Sequence, residues 1–154
     1  VVLDLGSVTR EYLFPVDVSA LPHGFRVVLA VLQEFGPEWA KEHLVPQVLA
    51  MIKNPHYLYR MTVLVAISSL ANYVSQEVFV SSMLPVLVSC AKDRVPNVKF
   101  NVAKVLERVA PLVDHSVVTQ TIKPCLTELS EDSDADVQFY ARQALYACDN
   151  IQMQ

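Results

Sequence analysis

Leu44-Val45-Pro46-Gln47-Val48-Leu49, Met83-Leu84-Pro85-Val86-Leu87-Val88 and Thr121-Ile122-Lys123-Pro124-Cys125-Leu126 each set a proline inside an apolar run, and the three prolines stand 39 residues apart. Other positions keep the same step. Asn54, Asp93 and Asp132 follow the prolines by eight residues; Arg60, Lys99 and Gln138 come six later, next to Met61, Phe100 and Phe139. A fixed period of this length marks a stack of helical repeats. An apolar comb runs through each copy: Tyr59, Val63, Ala66, Ile67, Leu70 and Val74; then Val98, Val102, Val105, Leu106, Val109 and Val113; then Val137, Ala141, Ala144, Leu145 and Cys148. Spacing of i, i+4, i+7, i+8 and i+11 gathers such residues on one helix face.

Composition agrees with a stack. The chain has 154 residues, enough for one domain with a sizeable core. Its apolar fraction is 53% against 18% charged residues, with a mean hydropathy of +0.32. A repeat buries a face on both sides, so surplus apolar surface is expected, and a segment cut from a longer stack would show more still. The net charge of −4 and pI near 5.5 argue against general nucleic-acid binding. No basic segment precedes an apolar core at the N-terminus, so a signal peptide is not expected. The longest uncharged stretch, Met61 to Gln76, falls short of the roughly 20 residues a bilayer demands, and no membrane association is expected. Three cysteines without motif spacing point to a reducing compartment: the cytoplasm, with the nucleus as a second location.

All three glycines precede residue 37, which suits helices joined by tight turns. The comb predicts six helices. The first of each pair spans about 37–52, 77–91 and 116–130, and the second about 57–74, 96–113 and 135–150. An in-phase proline in each first helix removes a backbone donor and should bend it. Residues 25–36 continue the comb through Val28, Val31 and Phe35 and read as a partial repeat, followed by full repeats at 37–75, 76–114 and 115–154. Residues 1–24 break the pattern at Pro15, Pro22 and Gly24, and read as an irregular segment or cap.

No constellation for catalysis emerges. The four histidines share no metal or general-base spacing, neither Ser68-Ser69 nor Ser81-Ser82 forms a nucleophile elbow, and no glycine-rich phosphate loop follows residue 36. Cys90, Cys125 and Cys148 occupy apolar helix positions and read as core. Asp132, Asp134 and Asp136 imitate a calcium loop, but Val137 stands where glycine is needed and Gln143 where the bidentate glutamate belongs. Asp132, Ser133 and Asp134 serve more simply as N-cap candidates. The expectation is a non-enzyme with no cofactor and no metal, working through its surfaces.

Several stretches resemble a known family. They are Phe35-Gly36-Pro37-Glu38-Trp39-Ala40, Val45 to Met51, Tyr57-Leu58-Tyr59-Arg60-Met61-Thr62, Met83 to Leu87, Pro96-Asn97-Val98-Lys99-Phe100-Asn101-Val102-Ala103-Lys104, and Asp134 to Ala141. Together they resemble the scaffold (A) subunit family of protein phosphatase 2A over about residues 25–150. The resemblance implies an all-α fold, a right-handed α-solenoid of about three and a half HEAT repeats, matching that family's last repeats. It implies a scaffold that holds the phosphatase catalytic subunit on a ridge of intra-repeat turns, with regulatory B-type subunits using upstream repeats missing here. The ridge residues it implies are Tyr57, Arg60, Val95, Asn97, Lys99, Asp134 and Asp136.

The period leads to the same edge. Turns recurring every 39 residues bring Lys53, His56 and Arg60 beside Lys92, Arg94 and Lys99, and then Glu131, Asp132, Asp134 and Asp136. This predicts an edge basic over two repeats and acidic on the third, facing a partner of opposite charge order with Tyr57 and Val95 as apolar anchors. Two alternatives stand beside this reading. One is another HEAT-repeat adaptor that binds helices or peptides in its concave face. The other is an isolated remnant of a scaffold without function.

Overall fold

The computed structural model describes residues 34–36 and 38–151. The readings of residues 1–24, and of the partial repeat before residue 34, lie outside the described residues. Six principal helices carry the fold: α1 (Val45–Ala50), α2 (Tyr57–Leu70), α3 (Leu84–Cys90), α4 (Pro96–Val109), α5 (Lys123–Ser130) and α6 (Ala135–Ile151). No strand occurs among the described residues. Helices α2, α4 and α6 lie side by side in sequence order, and α5 packs on α6. This is the all-α solenoid that the period predicts.

Local chemistry explains where the helices start. Pro96 opens α4, where its missing N–H is no loss and its fixed φ suits the first turn. The His56 ring accepts from Leu58 N–H at the head of α2 (3.3 Å). Ser75 Oγ accepts from Val78 N–H before the helical turn Gln76–Val78. One period later Asp114 precedes the turn His115–Val117, and its carboxylate instead accepts from Gln76 Nε2 across the repeats (2.7 Å).

The prolines act in a more specific way than a simple bend. A five-residue π-helical segment runs into each first helix: Ala40–Leu44 before α1, Phe79–Met83 before α3 and Val118–Ile122 before α5. The segments begin 39 residues apart, and each ends two residues before the proline. Val45, Leu84 and Lys123 N–H donate to Ala40, Phe79 and Val118 carbonyls, five residues back instead of four. A regular turn would press the proline ring on the carbonyl four residues earlier and leave that carbonyl unpaired. Adding one residue to the turn moves the carbonyl aside, which is how the helix accommodates the ring.

The comb faces the core. Val63, Ala66, Ile67 and Leu70 on α2, Val98, Val102, Val105, Leu106 and Val109 on α4, and Val137, Ala141, Ala144 and Cys148 on α6 are all buried. They meet Leu44 and Val48, then Phe79, Met83, Leu84 and Leu87, then Val118, Ile122, Leu126 and Leu129, in one continuous core. Each buried Val, Leu, Ile, Phe or Met among them contributes on the order of 1.5–3 kcal/mol relative to exposure. Two comb positions, Phe35 and Tyr59, are exposed instead. Tyr59 is 37% exposed and stands edge-on to His56 at the surface.

Candidate functional site

The three intra-repeat turns are built alike. Asn54 Oδ1 accepts from His56 N–H, Asp93 Oδ1 from Val95 N–H and Asp132 Oδ1 from Asp134 N–H, each at 2.9 Å. Short polar side chains that bind the N–H two residues on stabilise such turns. This explains why the position stays Asn or Asp in every copy.

The position six residues later holds the turns together. Arg60 Nη1 donates to the Asn54 and Pro55 carbonyls at 2.9 and 3.0 Å. Its Nε and Nη2 reach across to Asp93 in the next turn at 2.6 and 3.0 Å, a two-pronged pair. Lys99 Nζ repeats the crossing to Asp132 at 2.5 Å. Gln138 Nε2 donates to the Asp132 carbonyl of its own turn at 2.6 Å. The result is a ladder that ties one turn to the next along a single edge.

This geometry corrects part of the sequence reading. Arg60 and Lys99 were expected to offer their charges to a partner, yet their charges are spent inside. The Arg60 side chain is 11% exposed and that of Lys99 16%. The reason is register: a cation at the start of one second helix lies beside the acidic turn of the next repeat. Hydrogen bonding to Asp93 raises the Arg60 pKa despite burial. Burial alone would raise the Asp93 pKa, but bonds from Arg60 and Val95 N–H outweigh it and hold the carboxyl below its usual range. Asp132 is held low mainly by its bond to Lys99, then by Asp134 N–H.

The other expected ridge residues line the outside of this ladder. Tyr57 is half-buried, with its ring stacked on His56 at a centroid distance of 5.7 Å. Val95 and Asn97 are half-buried at the head of α4, where the Asn97 carbonyl accepts from Asn101 Nδ2. Asp134 caps α6 by accepting from Asp136 and Val137 N–H, and Asp136 is exposed beside it. Lys53, His56, Lys92 and Arg94 remain exposed, so the basic character of the first two turns survives the loss of Arg60 and Lys99.

Sequence reasoning missed Asp93 and Asp132 as the ladder's acids and Gln138 as a turn clasp. The signal was present, because Arg60–Asp93 and Lys99–Asp132 share the same separation of 33 residues. The cysteines are core residues, as expected. Cys90, Cys125 and Cys148 are buried, and desolvation pushes the thiols of the first two up to about 12 and about 11. At neutral pH they are not nucleophiles. Elsewhere, Lys104 Nζ lies 5.0 Å from the Phe100 ring and 4.0 Å from the Tyr140 ring, joining α4 to α6. Among the described residues, no helix is long and apolar enough to cross a membrane.

Stacked helix pairs with a tied row of turns define the class: an α-solenoid, a fold that offers extended surfaces rather than a pocket. In sequence, the chain is similar to the regulatory (A) subunit of protein phosphatase PP2A from several organisms. It is 63% identical to the Pisum sativum protein over 46 residues, which is 30% of this chain and 12% of that protein. It is 29% identical to the Saccharomyces cerevisiae protein over 76% of this chain and 20% of that protein. It is 45% identical to the Schizosaccharomyces pombe protein over 48% of this chain and 12% of that one. The chain thus spans a fifth or less of the length of these relatives. No family model matches it. The resemblance carried by Asn97 to Lys104 and its companion stretches is to the same family for which these relatives are named.

Proposed function

We propose that the chain is a non-catalytic scaffold segment whose row of turns grips the catalytic subunit of protein phosphatase 2A. The observation that carries this reading is the ladder. Arg60–Asp93 and Lys99–Asp132 hold successive turns in line, so that Tyr57, then Val95 and Asn97, then Asp134 and Asp136 stand along one edge. The relatives' name, which makes them a regulatory part of the phosphatase, supplies the partner. On this reading Tyr57 and Val95 are apolar anchors, Asn97 a polar contact, and the acidic third turn faces a cationic patch. Arg60 and Lys99 act indirectly, by fixing the spacing of the turns. Regulatory B-type subunits would engage repeats upstream of this chain.

The test is surface plasmon resonance with purified phosphatase catalytic subunit over the immobilised chain. Replacing Tyr57 with Ala and Val95 with Asp together should weaken binding by about tenfold or more while the circular dichroism spectrum stays helical. Unchanged binding would remove the ridge assignment.

A further inference from the structure

We infer that Ser133 is a phosphorylation site for an acidophilic protein kinase, and that its phosphate strengthens the acidic end of the ridge. Ser133 lies in the turn between α5 and α6, is exposed, and its hydroxyl has no hydrogen-bond partner among the described residues. That sets it apart from its neighbours. Ser130 Oγ donates to the Thr127 carbonyl, Thr127 Oγ1 to the Lys123 carbonyl and Ser89 Oγ to the Val86 carbonyl. Ser116 is also exposed, but Val117 and Val118 follow it.

The flanking charge supplies the recognition. Asp134 stands one residue downstream of Ser133 and Asp136 three, with Glu131 and Asp132 upstream. Kinases select substrates by such charge patterns, and a carboxylate one and three residues after the acceptor suits an enzyme with a basic substrate groove. Asp136 and Glu131 are exposed, whereas Asp132 is held by Lys99 and Asp134 by the helix it caps. The γ-phosphoryl of a nucleoside triphosphate passes to Ser133 Oγ. The new O–P bond forms as the β–γ bridging P–O bond breaks, the nucleoside diphosphate leaves with the electron pair, and the hydroxyl proton goes to the kinase's carboxylate base.

The position decides what the phosphate does. Asp134 Oδ1 already holds the N–H groups of Asp136 and Val137, so the head of α6 does not draw the phosphate inward. It is displayed on the ridge instead, adding a charge of about −1.5 to −2 at pH 7 to an already acidic turn. The consequence for binding rests on the docking reading above, in which this turn meets a cationic patch. The modification itself does not depend on that reading.

The test has two arms on the full chain. In the first, a purified acidophilic serine kinase and ATP are added, and the phosphate is mapped by mass spectrometry. One phosphate should appear at Ser133, none on Ser133→Ala, and Asp136→Asn should slow incorporation by about tenfold. No phosphate at Ser133, or a rate unaffected by Asp136→Asn, overturns the site. In the second, phosphorylated and untreated chains are compared at low salt for binding to the phosphatase catalytic subunit. The phosphorylated chain should bind about three- to fivefold more tightly, with the gain fading as salt rises. Equal or weaker binding overturns the strengthening. Failure of the untreated chain to bind at all overturns the docking reading and, with it, the strengthening, and leaves the mapped phosphate standing.

Discussion

The two seams between repeats share one register and are closed by different chemistry. At the first, a guanidinium grips both Asp93 oxygens and two carbonyls of its own turn, so distance and orientation are both fixed. At the second, a single ammonium meets a single Asp132 oxygen, which fixes distance and leaves rotation free. Beyond them, Gln138 is uncharged and clasps only its own turn. At the other end Asn54 is uncharged too, and the residue one period before Arg60 is Leu21. In this chain, charge sits at a ladder position where the register supplies its opposite. The ion pair at the first seam therefore sets both distance and orientation, whereas the second seam adds Lys104 over Tyr140 and Gln143 Nε2 donating to Glu107 to a pair that sets distance alone.

The most direct way to break this contrast is Arg60→Met. It strands the Asp93 carboxylate and frees two turn carbonyls, and should cost about 3 kcal/mol in urea unfolding. Lys99→Met should cost less, about 1–2 kcal/mol, because one bond is lost instead of four. Equal losses would show that the second prong and the carbonyl bonds add nothing. Acid should act on both seams more gently, since a protonated carboxyl keeps its place in the turn. Asp93 and Asp132 both ionise more readily folded than unfolded. Their contribution is therefore complete above the ordinary carboxylate pKa of about 4, and is lost as the pH falls through the depressed folded values. The urea midpoint should drop in that window, and drop less in Arg60→Met. Gln138→Ala removes one neutral hydrogen bond and should cost about 0.5–1 kcal/mol by the same measurement.

Most of the fold was legible because two periods reinforce each other. The helical comb locates α2, α4 and α6, and the 39-residue step aligns them. The ladder was harder to read. Arg60 and Lys99 were visible as an in-step pair, and so were Asp93 and Asp132, but their meeting depends on how far neighbouring repeats slide past each other. Nothing in a single repeat states that offset. Within one repeat, charges near a turn therefore look like surface charges. The π-helical segments were hidden for another reason: the stretches ahead of each proline are too short to reveal a one-residue shift in the apolar period, and only the missing proline donor hinted at them. Asp134 was legible as a cap because N-capping is local.

Those widened turns constrain how the gene for such a chain can change length. Removing a single codon ahead of a proline, Ser82 for instance, would let the helix close into an ordinary spiral. The segment before it would then swing by roughly 100°. Val78 and Phe79, now buried, would be carried towards solvent. One residue in each copy is thus present only to keep the first helix of each pair in phase across its proline, and an alignment gap at that point would mark a straightened helix.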